Sequence, residues 1–149
     1  MLITRKEMMQ MPERRRVHPF NDNGVRHSRA ISDATGMTRI GIHLVRLEPG
    51  RDSTTFHYHD QDEEFLYVVS GRGIAEIGDE TFEVGPGDFM GFTAPSPAHM
   101  LRNPFEEDLV YLMGGERNIA DVVHYPRIGR TLVKSNGARV WLHDTDGHR

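Results

Sequence analysis

The sequence predicts an all-β protein, an antiparallel sandwich or barrel, on three observations. Short runs rich in β-branched and aromatic residues recur through the middle of the chain, each closed by glycine, proline or aspartate. No apolar pattern of helical period and helical length separates them. The 149 residues, 15 of them glycine, suit one domain of many turns that is long enough to bury a real core.

Residues 1–38 are polar and weakly periodic, and read as an amino-terminal arm with a short helix and a strand. From Arg39 the texture changes: Ile40, Ile42 and Leu44 alternate with Gly41, His43 and Val45, a strand that ends at Glu48-Pro49-Gly50. Residues 65–70 form the next strand, stopped by Gly71-Arg72-Gly73. Residues 74–77 and 81–84 flank Gly78-Asp79-Glu80, a hairpin signal because glycine supplies the positive φ of tight turns. Strands follow at 89–92, at 99–102 after Pro95 and Pro97, and at 109–113. Two weaker strands, 121–125 and 139–142, are expected in a tail (115–149) laid outside a barrel of residues 39–114.

With no cysteine, disulfides and thiolate chemistry are excluded. A net charge of -4 gives no general attraction to nucleic acid, and Arg14, Arg15 and Arg16, the only basic cluster, read as a surface arm. The absence of a secretory signal and of a membrane-length apolar run makes a cytoplasmic protein, with no membrane or nucleic-acid partner, the expectation.

The chemistry sits in His57, His59, Glu64 and His99. Two histidines separated by one residue share a face of an extended strand. Neutral imidazoles with one carboxylate suit a single divalent transition metal, manganese, iron, nickel or zinc, and an octahedral ion would keep positions open for substrate. His18, His27, His43, His124, His143 and His148 lack such partners and read as ordinary, His43 alone of them lying on an expected barrel strand of residues 39–114.

These residues resemble the two boxes of the cupin superfamily. Gly50, His57, His59, Glu64 and Gly71 match the first box, with one extra residue after Gly50; Gly87, His99 and Asn103 match the second, with Gly85 where proline is usual. The resemblance covers residues 39–114 and implies a jelly-roll barrel with the metal inside, commonly dimeric. The six-residue interval to Gly71 selects Glu64 over Glu63 as the ligand, with Leu66 and Val68 on its face. Residues 63–73, 84–92 and 121–129 are also similar to small bacterial single-domain cupins, some labelled sugar-phosphate isomerases.

An open metal favours a small substrate offering two oxygens, handled by an isomerase, a lyase or, with iron, a dioxygenase. A non-catalytic cupin that binds a small molecule or metal is the alternative. Isomerisation needs a general base, and no second inward carboxylate is evident. A sugar phosphate would also want basic residues in the pocket; Arg46, Arg72 and Arg102 are candidates, more in keeping with surface or rim. Strand parity places Ile42, Leu66, Met90, Phe92 and Leu101 on the lining. The expected assembly is a homodimer that uses the amino-terminal arm.

Overall fold

The computed structural model describes residues 1–144. Helix α1 (Arg5–Gln10), opened by a capping box between Thr4 and Glu7, leads into β1 (Arg14–His18) and β2 (Asn21–Ala30). The single-turn helix α2 (Ile31–Ala34) passes the chain to β3 (Ile40–Leu47). Then come β4 (Tyr58–His59), β5 (Glu64–Ser70), β6 (Gly73–Ile77), β7 (Glu80–Val84), β8 (Phe89–Phe92), β9 (His99–Arg102) and β10 (Leu109–Glu116). Three tail strands follow: β11 (Ala120–Tyr125), β12 (Arg130–Ser135) and β13 (Ala138–His143).

These strands form an antiparallel jelly roll built from sheets of six strands (β1-β2-β3-β10-β5-β8), four (β13-β12-β11-β4) and three (β7-β6-β9). The main core lies between the six- and three-stranded sheets, where Val45, Leu47, Val68, Ala75, Leu101, Leu109 and Tyr111 are almost wholly buried. Each large apolar side chain enclosed there contributes about 1.5–3 kcal/mol. Asn103 is buried among them for its polar atoms: its amide donates to the carbonyls of Leu47 (3.0 Å) and Glu107 (2.7 Å) and its oxygen accepts from the Phe105 amide (3.1 Å). The box asparagine therefore closes a loop under the barrel.

Two regions hold more strand than their sequences suggest. The polar stretch of β2 pairs with β3 and becomes an interior strand of the six-stranded sheet. In the tail, β12 is an additional strand between the two expected ones, and its Leu132 packs with Val123, Tyr125 and Trp141 in a second small core. His18 of β1 joins that core from the arm, its ring 5.3 Å from Tyr125 and 6.0 Å from Trp141. Among the described residues no helix is long and apolar enough to cross a membrane.

The two box glycines Gly50 and Gly71 both take positive φ (79° and 77°), but their surroundings differ. A Cβ on Gly71 would lie 2.2 Å from the Asp108 carbonyl oxygen, whereas one on Gly50 would meet open space. We expect Gly71→Ala to cost about 3 kcal/mol or more and Gly50→Ala about 1 kcal/mol, as read from urea midpoints. Equal losses at the two positions would show that the backbone approach at Gly71 can relax.

Candidate metal centre

All three sheets contribute to one cluster of side chains. His57 precedes β4 and exchanges both backbone hydrogen bonds with His99 on β9, at 3.1 and 2.8 Å. His59, on β4, is held against Val123 of β11. Glu64 opens β5, between Gly115 of β10 and Phe92 of β8. The Phe92 ring stacks on the His99 imidazole at a centroid distance of 3.5 Å and fixes its plane.

The imidazoles converge through their Nε2 atoms on the Glu64 carboxylate: His59 at 3.1 Å, His99 at 3.2 Å and His57 at 3.6 Å. Each Nδ1 faces an acceptor: the Thr55 carbonyl for His57 (2.8 Å), the Asp121 carboxylate for His59 (2.7 Å) and the Pro97 carbonyl for His99 (3.2 Å). The Nδ1 atoms must therefore carry the protons, and a neutral ring then turns its Nε2 lone pair towards a carboxylate that can only accept. Lone pairs facing lone pairs at these distances are relieved by a further proton on a ring or by a metal cation between them. The donor set and its outer hydrogen bonds thus fit a divalent metal, with the tautomer of each histidine set from behind. Ligand atoms of His57, Glu64 and His99 all lie within 4.8 Å of one another.

Protonation follows the same logic. Burial holds His57 below the ordinary imidazole pKa, partly offset by Glu64. Burial also opposes charge on His59, but Glu64 and Asp121 outweigh it and raise its pKa, so a proton relieves the conflict when no metal does. For Glu64, burial would raise the pKa; the three imidazoles facing it, which can donate once a ring takes up a second proton, more than reverse this and hold it well below the usual carboxylate range.

Asp121, read from sequence only as the start of a covering strand, is a main support of the site. Its side chain is fully buried, receives the Gln61 amide at 3.0 Å and pairs with Lys134 of β12 at 2.8 Å. Lys134 also pairs with Asp62 at 2.9 Å. His59, Asp62 and Asp121 thereby form a second group of potential ligands beside the first. Lys134 bridges both carboxylates of that group and the His59 Nδ1 faces Asp121, so its oxygens are already engaged, which leaves the Glu64 cluster as the better cation site.

The cluster opens on a cavity of about 520 Å³. Leu66, Phe92 and Leu101 line it as expected; Met90 belongs to the main core and Ile42 faces elsewhere, its neighbour His43 lining the cavity instead. Glu63 is exposed, as are Tyr67 and Val69, so β5 turns Glu64, Leu66 and Val68 inward. Arg46, Arg72 and Arg102 pair outside the cavity with Glu13, Glu83 and Glu76. The basic residues on its wall are instead Arg16, Arg26, Arg117, Lys134 and Arg139, which strand parity did not reveal. Of the remaining histidines, His124 pairs with Asp60 at 3.0 Å, while His148 lies outside the described residues.

A jelly-roll barrel that gathers three imidazoles and one glutamate into its interior defines a class of small β-barrel domains with a candidate metal centre. The profile of the cupin domain family matches residues 43–115. A protein from Acidithiobacillus ferrooxidans named as a candidate sugar phosphate isomerase is 36% identical, with a TM-score of 0.94 over 99% of this chain and 95% of that one. A cupin-superfamily sugar phosphate isomerase from Silicibacter pomeroyi is 26% identical, with a TM-score of 0.80 over 89% and 86% of the two chains. An uncharacterized protein of Methanocaldococcus jannaschii is 33% identical over 38% of this chain, a match spanning 45% of that protein's length. The chain belongs to the cupin superfamily as a small cupin-domain protein.

The Asp121–Lys134 pair sets a pH window for stability. Asp121 is held below its ordinary 3.8 by Lys134 and His59 against the opposing effect of burial, and Lys134 is held above 10.5 by Asp121 and Asp62 against the same effect. Its stabilisation is complete between these pH values. It is lost as pH falls through the depressed value of Asp121 or rises through the elevated value of Lys134. Asp121→Asn is expected to cost about 2–3 kcal/mol at neutral pH, with the difference from wild type shrinking at both extremes. Thermal unfolding across pH checks this; a difference that stays flat at the extremes would contradict it.

Proposed function

We propose that His57, His59, Glu64 and His99 hold one divalent first-row metal ion, manganese, iron, nickel or zinc, and that the protein is a metal-dependent enzyme of the isomerase type acting on a small hydroxy-carbonyl metabolite. The observation that carries this reading is the convergence of imidazole Nε2 atoms on Glu64 with every Nδ1 proton committed elsewhere. Bound there, the ion would polarise substrate oxygens as a Lewis acid. The names of the two similar structures, both sugar phosphate isomerases in wording, support this reaction class over a lyase or dioxygenase.

The chain's own groups have distinct tasks. Glu64 and the histidines would hold the ion, and Val123, Tyr125 and Leu132 of the tail sheet wall the cavity against water. Gly115 has the Glu64 Cγ 3.4 Å from where its Cβ would stand, so the absence of a side chain leaves room beside the carboxylate. Proton transfer is assigned to His43. It lines the same cavity, and burial lowers its pKa, so the neutral, basic form prevails at neutral pH.

One observation favours the second reading, a non-catalytic cupin that captures a small ligand. Apart from Glu64, the carboxylates on the cavity wall are engaged: Asp62 by Lys134 and Asn118, Asp33 by Arg117, and Glu116 by the Glu63 amide. For assembly, the outer face of β5 and β8 exposes Tyr67, Val69 and Phe89, which supports a homodimer through sheet packing.

The test uses metal-loaded protein, a panel of hydroxy-carbonyl sugars and their phosphates, and NMR detection of solvent deuterium entering beside the carbonyl. His59→Ala is expected to abolish exchange and metal retention while the fold persists. His43→Asn is expected to keep the metal and slow exchange about 100-fold or more. The acid limb of the wild-type rate should fall below pH 6.5, the ordinary value from which burial lowers His43. Metal-bound protein that exchanges no deuterium, yet is thermally stabilised by one compound, would establish the binding reading instead.

A further inference from the structure

Several arginines on this protein are matched to carboxylates. Arg29 and Arg46 share Glu13, Arg102 and Arg127 share Glu76, and Arg117 takes Asp33. Others have no carboxylate within 4.0 Å, and among the described residues Arg16, Arg26 and Arg139 are the unpaired arginines that face a cavity, although the chain is acidic overall at -4. All three line the 520 Å³ cavity and also an adjoining one of about 310 Å³, in which none of His57, His59, Glu64 or His99 takes part. Arg14 and Arg15, from the same basic run, line neither.

Their placement costs energy in the ligand-free protein. Arg16 on β1 and Arg26 on β2 stand directly opposite each other in the antiparallel register. Like charges at such a pair are destabilising unless an anion lies between or beside them. Arg139 reaches the same wall from β13, in a different sheet. No local strand pattern requires these three charges to meet.

Two buried donors without acceptors complete the picture. The Nδ1 of His18 accepts from the Phe20 amide at 3.2 Å, and burial pushes the His18 pKa down to about 4, so the ring is neutral with its proton on Nε2. That Nε2 has no hydrogen-bond partner, and His18 lines the smaller cavity. The hydroxyl of Tyr111, 1% exposed, has the Ser53 hydroxyl near it but no partner within 3.5 Å, and it lines the larger one. Guanidinium forks with neutral N–H and O–H donors match a group made only of acceptor oxygens, and the planar fork suits phosphate in particular.

We propose that Arg16, Arg26 and Arg139 form a phosphate-binding subsite in the chamber beside the metal cluster, selecting a phosphorylated metabolite whose other end carries the reacting oxygens. The subsite stands on its own geometry; its assignment to a substrate rests on the metal-dependent reading above. A phosphate ester seated there would extend its hydroxy-carbonyl end from the shared wall, which includes Ser53, Thr54 and Tyr125, towards Glu64. The carbon skeleton is confined by the remaining volume to a small metabolite.

The test is calorimetric titration of the full chain, stripped of metal and kept in chelator, with inorganic phosphate at constant ionic strength. Wild type is expected to bind, with Arg26→Gln and Arg139→Gln each weakening the affinity about tenfold and Arg72→Gln, outside both cavities, leaving it unchanged. Circular dichroism verifies folding; should Arg26→Gln not fold, Arg139→Gln on its exposed strand decides. No phosphate binding by metal-free wild type, or variants that bind as wild type does, would overturn the subsite. Acetate competing as well as phosphate would overturn the phosphate assignment. Phosphate binding that persists while reconstituted protein takes up no metal would sink the metal reading and leave the subsite standing.

Discussion

Three imidazole rings whose Nδ1 protons are already given away are the constraint on which the centre of this protein depends. Thr55 and Pro97 supply main-chain acceptors to His57 and His99, and Asp121 supplies a carboxylate to His59. Each acceptor turns a ring and fixes its tautomer. With the rings so held, the Nε2 lone pairs and Glu64 have no mutual hydrogen bond to make unless a proton or a metal ion is taken up. The fold stores an electrostatic conflict at one point and shields it from water with the tail sheet, where Val123, Tyr125 and Leu132 pack over the cavity.

Closing the barrel and building the centre are one event. The ligand candidates come from three sheets, so no hairpin or single sheet could assemble them. The paired backbone hydrogen bonds between His57 and His99 tie the approach to β4 to β9, and β4 in turn pairs with β11. The tail is thereby coupled to the site through backbone pairing and through the Asp121–Lys134–Asp62 network beneath it. A chain shortened before β11 would lose the orienting partner of His59 as well as a wall.

Much of this was legible in the sequence, for identifiable reasons. The central strands alternate apolar and polar residues because one face packs on the core, and the spacing from His57 to Gly71 marks a cupin box. The choice of Glu64 over Glu63, which apolar parity left open, agrees with a strand that exposes Tyr67 and Val69 and buries Val68. What was hidden is where polar side chains face inward. The length of β2 and its place inside the sheet are not evident in an arm read as a short helix and a strand, because Arg26 and Ser28, on its cavity face, are polar, and Arg16 is lost in a run of three arginines of which only alternate residues can share a face. Asp121 and Lys134 sit on tail strands whose role is set entirely by tertiary pairing, and β4, at two residues, is too short to show a period. His43 could have been found by parity had Ile42 not seemed the better inward residue.

The most direct measurement is an anomalous-difference map at the absorption edge of whichever metal accompanies the untagged protein through purification. The account predicts one peak per chain, about 2.0–2.3 Å from the Nε2 atoms of His57, His59 and His99 and from a Glu64 oxygen. A peak on the Asp62–Asp121 side, or none after each of the four metals has been added back, would contradict it.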